Sequence, residues 1–161
     1  MSSPTLHIRL AKKDDLAHVN HVIEAAIMTW NLPERVKRLS LPSYRYTDLD
    51  FKHIDMAVAE KDEHNIVGVA AWEEADPKDI PDGQTAMLLH GIYVAPRYHH
   101  QGIGQQLFEY VETSLQSQYD GLLVKAQEEA DGFFLIQGMQ RIPVKNKKQD
   151  YVNRFWKHLG H

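Results

Sequence analysis

The stretch Leu88 to Leu107, LLHGIYVAPRYHHQGIGQQL, constrains the fold of this chain more than any other. Met87 to Val94 is apolar at nearly every position and stops before Pro96, which predicts a strand covered on both faces. A polar turn then carries Gly102-Ile103-Gly104 into an amphipathic helix with Gly104, Leu107, Phe108, Val111 and Leu115 on one stripe. Strand, glycine loop and helix start in succession aim several backbone N–H groups at one point, an arrangement suited to phosphate. Taken alone, Gly102 and Gly104 are better explained by close packing of a helix start on a strand. Two nucleotide motifs do not fit: no Gly-Lys-Ser/Thr follows, and the turn from Ala95 to Gly102 is too long for a dinucleotide fingerprint.

The flanking chain supplies the rest of a mixed sheet. Thr5 to Leu10 alternates as a strand, and Asp14 or Asp15 offers an N-cap to a helix with Leu16, Val19, Ile23, Ala26, Ile27 and Trp30 on one face, ending near Asn31 and Pro33. Glu34 to Leu39 reads as a short helix and SLPSYRYTD as a loop. Ile54–Val58 and Ile66–Trp72 make a hairpin across Asp62-Glu63-His64-Asn65, with Ala75 to Gly83 as a loop beyond it. After the central helix come a buried strand, Leu122 to Ala126, and a short helix from Glu128 to Gln137 with Gly138 at its C′ position. Gly132 inside that helix is a local cost of about 1 kcal/mol against alanine, with no account in the sequence. Two strands close the chain, Met139–Val144 and Tyr151–Leu159, joined by KNKKQD. This order is neither strict βα alternation nor a bundle; it predicts an α+β fold, a mixed sheet with helices on both faces.

The 161 residues are most simply one domain, 1–161, with 43% apolar and 25% charged residues. A formal net charge of −4 gives no reason to expect nucleic acid or an anionic membrane as partner. Cysteine is absent, excluding disulfides, thiolate metal clusters and a cysteine nucleophile, and fitting a cytoplasmic protein. No apolar run approaches membrane-spanning length, and MSSPTLHIRL lacks a secretory h-region. His90, His99 and His100 have no carboxylate or cysteine at ligand spacing, so no metal is expected.

IYVAPRYHHQGIGQQLFEYV resembles the acyl-CoA-binding core of the GNAT-type N-acetyltransferases, whose Q/R-x-x-G-x-G/A loop holds the cofactor's pyrophosphate. Gly102 and Gly104 match the small positions, whereas His99 stands where the family has Gln or Arg. Ala130-x-x-Phe133-Phe134-x-x-x-Gly138 is similar to the family's second cofactor segment. The resemblance implies a three-layer α/β/α fold, with a mostly antiparallel sheet of about seven strands and two splayed central strands, Met87–Val94 and Leu122–Ala126. Gly91 suits the bulge that splaying needs. It further implies acetyl-CoA as co-substrate and direct attack by an amine in a ternary complex. Backbone groups of Ile92, Tyr93 and Val94 would hold the pantetheine arm. His99, His100, Gln101, Gly102, Ile103, Gly104 and Gln105 would surround the pyrophosphate, Arg97 adding charge beside His99, and Phe133 and Phe134 would complete the cofactor set.

An alkyl amine must lose a proton before it attacks. His90, two residues before Ile92, is either a hydrogen-bonded structural histidine or the base; His90-Gly91-Ile92-Tyr93-Val94 matches the His-x-L-x-V strand of serotonin N-acetyltransferase, which implies the base or a water relay. Phe134 replaces the tyrosine that protonates the departing thiolate in many members, leaving water, Tyr93 or Tyr98 for that step; Phe134→Tyr is expected to change kcat less than tenfold, a thiol of pKa ~8.5 being a tolerable leaving group. Trp30, Trp72 and Trp156 read as core or cleft-wall residues, and Glu73, Glu74 and Asp76 as a solvated strand end or acceptor contacts. The expected activity is acetyl transfer from acetyl-CoA to a primary amine of a small molecule or peptide. The altered positions His99 and Phe134 support an alternative, a non-catalytic acyl-CoA-binding or regulatory module. Homodimer formation is left open.

Overall fold

The computed structural model describes residues 6–30, 32–62, 65–126, 137–142 and 153–159. The strands are β1 (Leu6–Leu10), β2 (Asp55–Lys61), β3 (Ile66–Glu74), β4 (Ala86–Val94), β5 (Gly121–Ala126), β6 (Gln140–Ile142) and β7 (Asn153–His158); the helices are α1 (Leu16–Ile27), α2 (Glu34–Tyr44) and α3 (Ile103–Leu115). The strands form one mixed sheet in the order β1-β2-β3-β4-β5-β7-β6. Pairing is antiparallel for β1/β2, β5/β7 and β6/β7, and parallel for β4/β5. This is the α+β, mostly antiparallel sheet that the sequence predicts. The chain divides into two compact units, Met1–Ala71 with Ile92–Leu107 and Trp72–Gly91 with Phe108–His161, the division passing through β3, β4 and α3.

In the first unit α1 buries Val19, Val22, Ile23, Ala26 and Ile27 against Met56, Val58, Val69, Ala71 and Tyr93. The opposite side of β3 receives the start of α3. A Cβ on Gly68 would lie 2.9 Å from Leu107 and 3.1 Å from Ile103. Residues 68 and 69 point to opposite faces of a strand, so α1 and α3 cover the two faces of this part of the sheet. Arg9 on β1 ties the entrance to α1, donating to Asp15 at 2.8 and 3.0 Å and to Glu60 at 3.0 Å.

In the second unit Ala75, Ile80, Ala86 and Leu123 form a core, with Leu88 and Trp156 packed against it. Thr85 and Asp120 clamp the starts of β4 and β5 by exchanging bonds: Thr85 N–H donates to the Asp120 carboxylate at 2.9 Å and Asp120 N–H to the Thr85 carbonyl at 3.0 Å. Lys125 on β5 pairs with Asp79 at 3.0 Å, and Lys157 on β7 pairs with Glu112 on α3 at 2.8 Å.

Several elements differ from the sequence reading. α1 ends at Ile27, not near Asn31, because the Thr29 hydroxyl takes the Ala26 carbonyl at 2.6 Å and the chain tightens into short turns. α2 runs through Pro42 to Tyr44, including SLPSY that reads as loop. A helix-interior proline costs about 3 kcal/mol, but packing of Leu41 and Tyr44 on the α1 core, with Tyr44 edge-on to Trp30 at 5.5 Å, holds the last turn. Asp15 serves not as an α1 side-chain cap but one turn earlier, accepting from Lys12 N–H at 2.7 Å. Ile103, not Gly104, heads the buried stripe of α3. On β4 Ala86, Met87, Leu89 and Tyr93 are buried, but Leu88, His90 to Ile92 and Val94 are half-buried. Gly138 has φ of +84°, as a C′ glycine should, while the helix proposed before it and the turn KNKKQD lie outside the described residues.

Candidate acyl-CoA and proton-transfer site

β4 carries the candidate residues, and its main-chain pattern decides which groups they present. Ala75 N–H donates to Ala86 at 3.0 Å, and Ala95 N–H to Val67 at 2.8 Å. Between these two bonds β4 spends one residue more than β3 does, so β4 contains a bulge. The ladder between β4 and β5 ends at Leu89↔Val124, yet β4 continues to Val94. Parallel pairing therefore covers only the first part of the strand, as splayed central strands require.

Because Ala95 faces β3, the N–H and C=O of Val94 face the opposite edge. Tyr93 buries its ring in the α1 core.

A short turn from Pro96 to Tyr98 leads from β4 into the glycine loop. His100 and Gly102 adopt left-handed conformations, with φ of +64° and +79°. A Cβ on Gly102 would meet nothing within 4 Å. Glycine is needed there for its backbone angle and not for close packing. Gly102 accepts from Gln106 N–H at 3.1 Å, so α3 begins at Ile103 with its positive end at the loop. Ile103 is buried, so only its main chain is presented to a ligand.

His99, at the position of the expected Gln or Arg, turns Nε2 to the Val94 carbonyl at 2.8 Å. The imidazole links the glycine loop to the open edge of β4. Nearby side chains brace the loop. Asn65 donates to the Tyr98 hydroxyl at 3.2 Å, Lys61 donates to Gln101 at 3.2 Å, and Lys61 Nζ lies 4.8 Å from the Tyr98 ring centroid. Arg97 approaches the same ring at 5.8 Å. These cations, with the left-handed loop and helix start, are the donor set an anionic pyrophosphate needs. Lys61 and Asn65 have no sequence motif; only the hairpin register places them here. Gln105 is exposed on the first turn of α3. Phe133 and Phe134 lie outside the described residues.

His90 is half-buried on β4, with Nε2 shielded from water and 3.1 Å from Glu73 Oε1 at the end of β3. Glu73 is therefore not merely part of a solvated strand end. Among the described residues no cluster of three or more His, Cys, Asp or Glu could hold a metal ion, and the His99 and His100 rings stand 6.3 Å apart and nearly perpendicular. Nor is any helix there long and apolar enough to cross a membrane.

A family model described as the acetyltransferase (GNAT) domain matches residues 52–141. Curated proteins give no match. Solved structures give many. An N-acetyltransferase, PaiA, from Thermoplasma acidophilum in complex with coenzyme A aligns with a TM-score of 0.76 at 13% identity, over 96% of this chain and 99% of that one. A GNAT-family acetyltransferase from Brucella melitensis in complex with acetyl-CoA aligns at 0.68 and 17%, over 99% and 91%. One from Staphylococcus aureus Mu50 aligns at 0.67 and 16%, over 97% and 100%. At such identities these likenesses speak for the fold.

Proposed function

Since this chain belongs to the acetyltransferase (GNAT) family, we propose that residues 1–161 act as one catalytic domain that moves an acetyl group from acetyl-CoA to a primary amine of a small molecule or peptide. The observation that carries this reading is the open edge of β4 running straight into a left-handed glycine loop and the start of α3. When bound, acetyl-CoA supplies a thioester whose acyl carbon the amine attacks, forming the C–N bond as the C–S bond breaks. The main chain at Ile92 and Val94 holds the pantetheine arm and polarises the carbonyl. Backbone groups of Gly102, Ile103, Gly104 and Gln105 hold the pyrophosphate, with His99, His100 and Gln101 lining the loop and Lys61 and Arg97 adding positive charge. Phe133 and Phe134 complete the proposed cofactor set.

His90 removes the proton from the incoming ammonium, directly or through one water. Removing a general base typically costs 10²–10⁴-fold. His90→Gln is therefore expected to lower kcat by roughly 100-fold while leaving the acetyl-CoA dissociation constant within about twofold, measured by thiol release and by calorimetry. An unchanged rate would remove His90 from the mechanism.

A further inference from the structure

We propose that His99 is a positioning residue for the cofactor loop: its Nε2–H bond to the Val94 carbonyl, and not its charge, holds the His100–Gly102 turn in the shape that receives the pyrophosphate. This rests on the reading of the loop as an acetyl-CoA site. Nε2 lies 2.8 Å from the carbonyl oxygen of a residue five positions earlier. A carbonyl only accepts, so the facing nitrogen carries the proton in the neutral ring and in the imidazolium alike. The bond therefore does not depend on the charge of the ring.

The turn needs holding. His100 is left-handed at φ of +64° without being a glycine, one residue before Gln101 and two before the left-handed Gly102. Such a residue keeps that angle only where its surroundings over-determine it. The ties come from opposite sides of β4. Tyr98 and Gln101 are bound by Asn65 and Lys61 of the β2–β3 hairpin, at 3.2 Å each. Val94 turns its carbonyl away from β3, so His99 fastens the same loop to the open edge. Histidine, and the glutamine or arginine expected at this position, share a side-chain N–H of similar reach; they do not share a charge. Arg97 and Lys61, both against the Tyr98 ring, keep the loop positive whatever the state of His99 or of His100, whose ring stands 6.3 Å away.

The test separates the bond from the charge. His99→Phe keeps a ring and removes the N–H, whereas His99→Gln keeps an N–H and removes the charge; His99 is exposed, so neither change disturbs the core. Calorimetry at about pH 6, where an ordinary imidazole is mostly charged, should show acetyl-CoA binding weakened roughly fivefold in His99→Phe and within about twofold of wild type in His99→Gln. Two further readouts use the free protein. Long-range ¹H–¹⁵N spectra at about pH 9, where the ring is neutral, should place the His99 proton on Nε2. Amide order parameters of His100 and Gly102 should stay near the rigid value of about 0.85 in wild type and His99→Gln, and fall below about 0.6 in His99→Phe. A Gln variant that binds as weakly as the Phe variant would mean that the charge is what matters, and overturns the proposal. So does a Phe variant that binds like wild type, a proton on Nδ1, or a loop equally rigid in every variant. If the wild type binds no acetyl-CoA, it is the cofactor reading that fails, and the spectra still decide whether His99 holds the turn.

Discussion

At the scale of single residues, conformation and charge each make one testable demand. Gly102 has φ of +79° with open space around it, so Gly102→Ala meets backbone strain of about 1 kcal/mol without a steric clash. Acetyl-CoA binding, followed by calorimetry, is expected to weaken several-fold as the loop relaxes away from that angle; unchanged binding would mean the loop angle does not shape the site. Arg9 and Asp15 carry the electrostatic demand. The Arg9 hydrogen bonds, working against desolvation, hold the Asp15 carboxyl below the ordinary carboxylate value of 3.8. A depressed carboxyl stabilises the fold above that ordinary value and loses its contribution as pH falls through the folded one. Arg9→Leu is thus expected to cost roughly 2–3 kcal/mol at pH 7, with the gap to wild type narrowing in urea titrations as pH falls below the ordinary value of 3.8. A gap independent of pH would assign the loss to packing. His90 and Gly102 stand out in the sequence because each sits in a linear motif. Lys61 and Asn65 do not, since their place beside the glycine loop depends on the hairpin register.

At the scale of elements, β4 and β5 share a short ladder whose base is fixed by Thr85 and Asp120. The first residue of β5, Gly121, lies against the Trp156 ring, and a Cβ there would overlap it. Gly121→Ala is expected to destabilise by about 1–3 kcal/mol, read from the urea midpoint; a neutral result would show that the ring can move aside at no cost. Alternation made β1 and β2 legible and helical spacing made α1 and α3 so, while β3, β4 and β5 were legible as continuous apolar runs. α2 was misread at its end because Pro42 is a helix breaker in isolation, and only tertiary packing of Leu41 and Tyr44 outweighs it. Likewise Ile103 rather than Gly104 heads the stripe of α3, because only tertiary packing against Gly68 buries its side chain. The parting of β4 from β5 and a bulge in β4 could both be anticipated from Gly91 and from family resemblance; the hydrogen bonds to β3 show that the extra residue falls between Ala86 and Ala95.

For the molecule as a whole, family membership limits the chemistry, while the acceptor is set by surfaces that carry no motif. A ligand at 100 times its dissociation constant adds about 2.7 kcal/mol to folding stability. Acetyl-CoA at that excess should raise the melting temperature by several degrees, and free CoA should raise it too; no response to either would exclude a cofactor site. A response without turnover would favour an acyl-CoA-binding module. The most direct measurement of the central claim is a panel of primary amines assayed with acetyl-CoA, following thiol release together with the mass of the product. For at least one amine, equimolar thiol and N-acetyl product are expected, with the rate falling by roughly 100-fold in His90→Gln. Cofactor binding with no acetylated amine anywhere in the panel would contradict that claim.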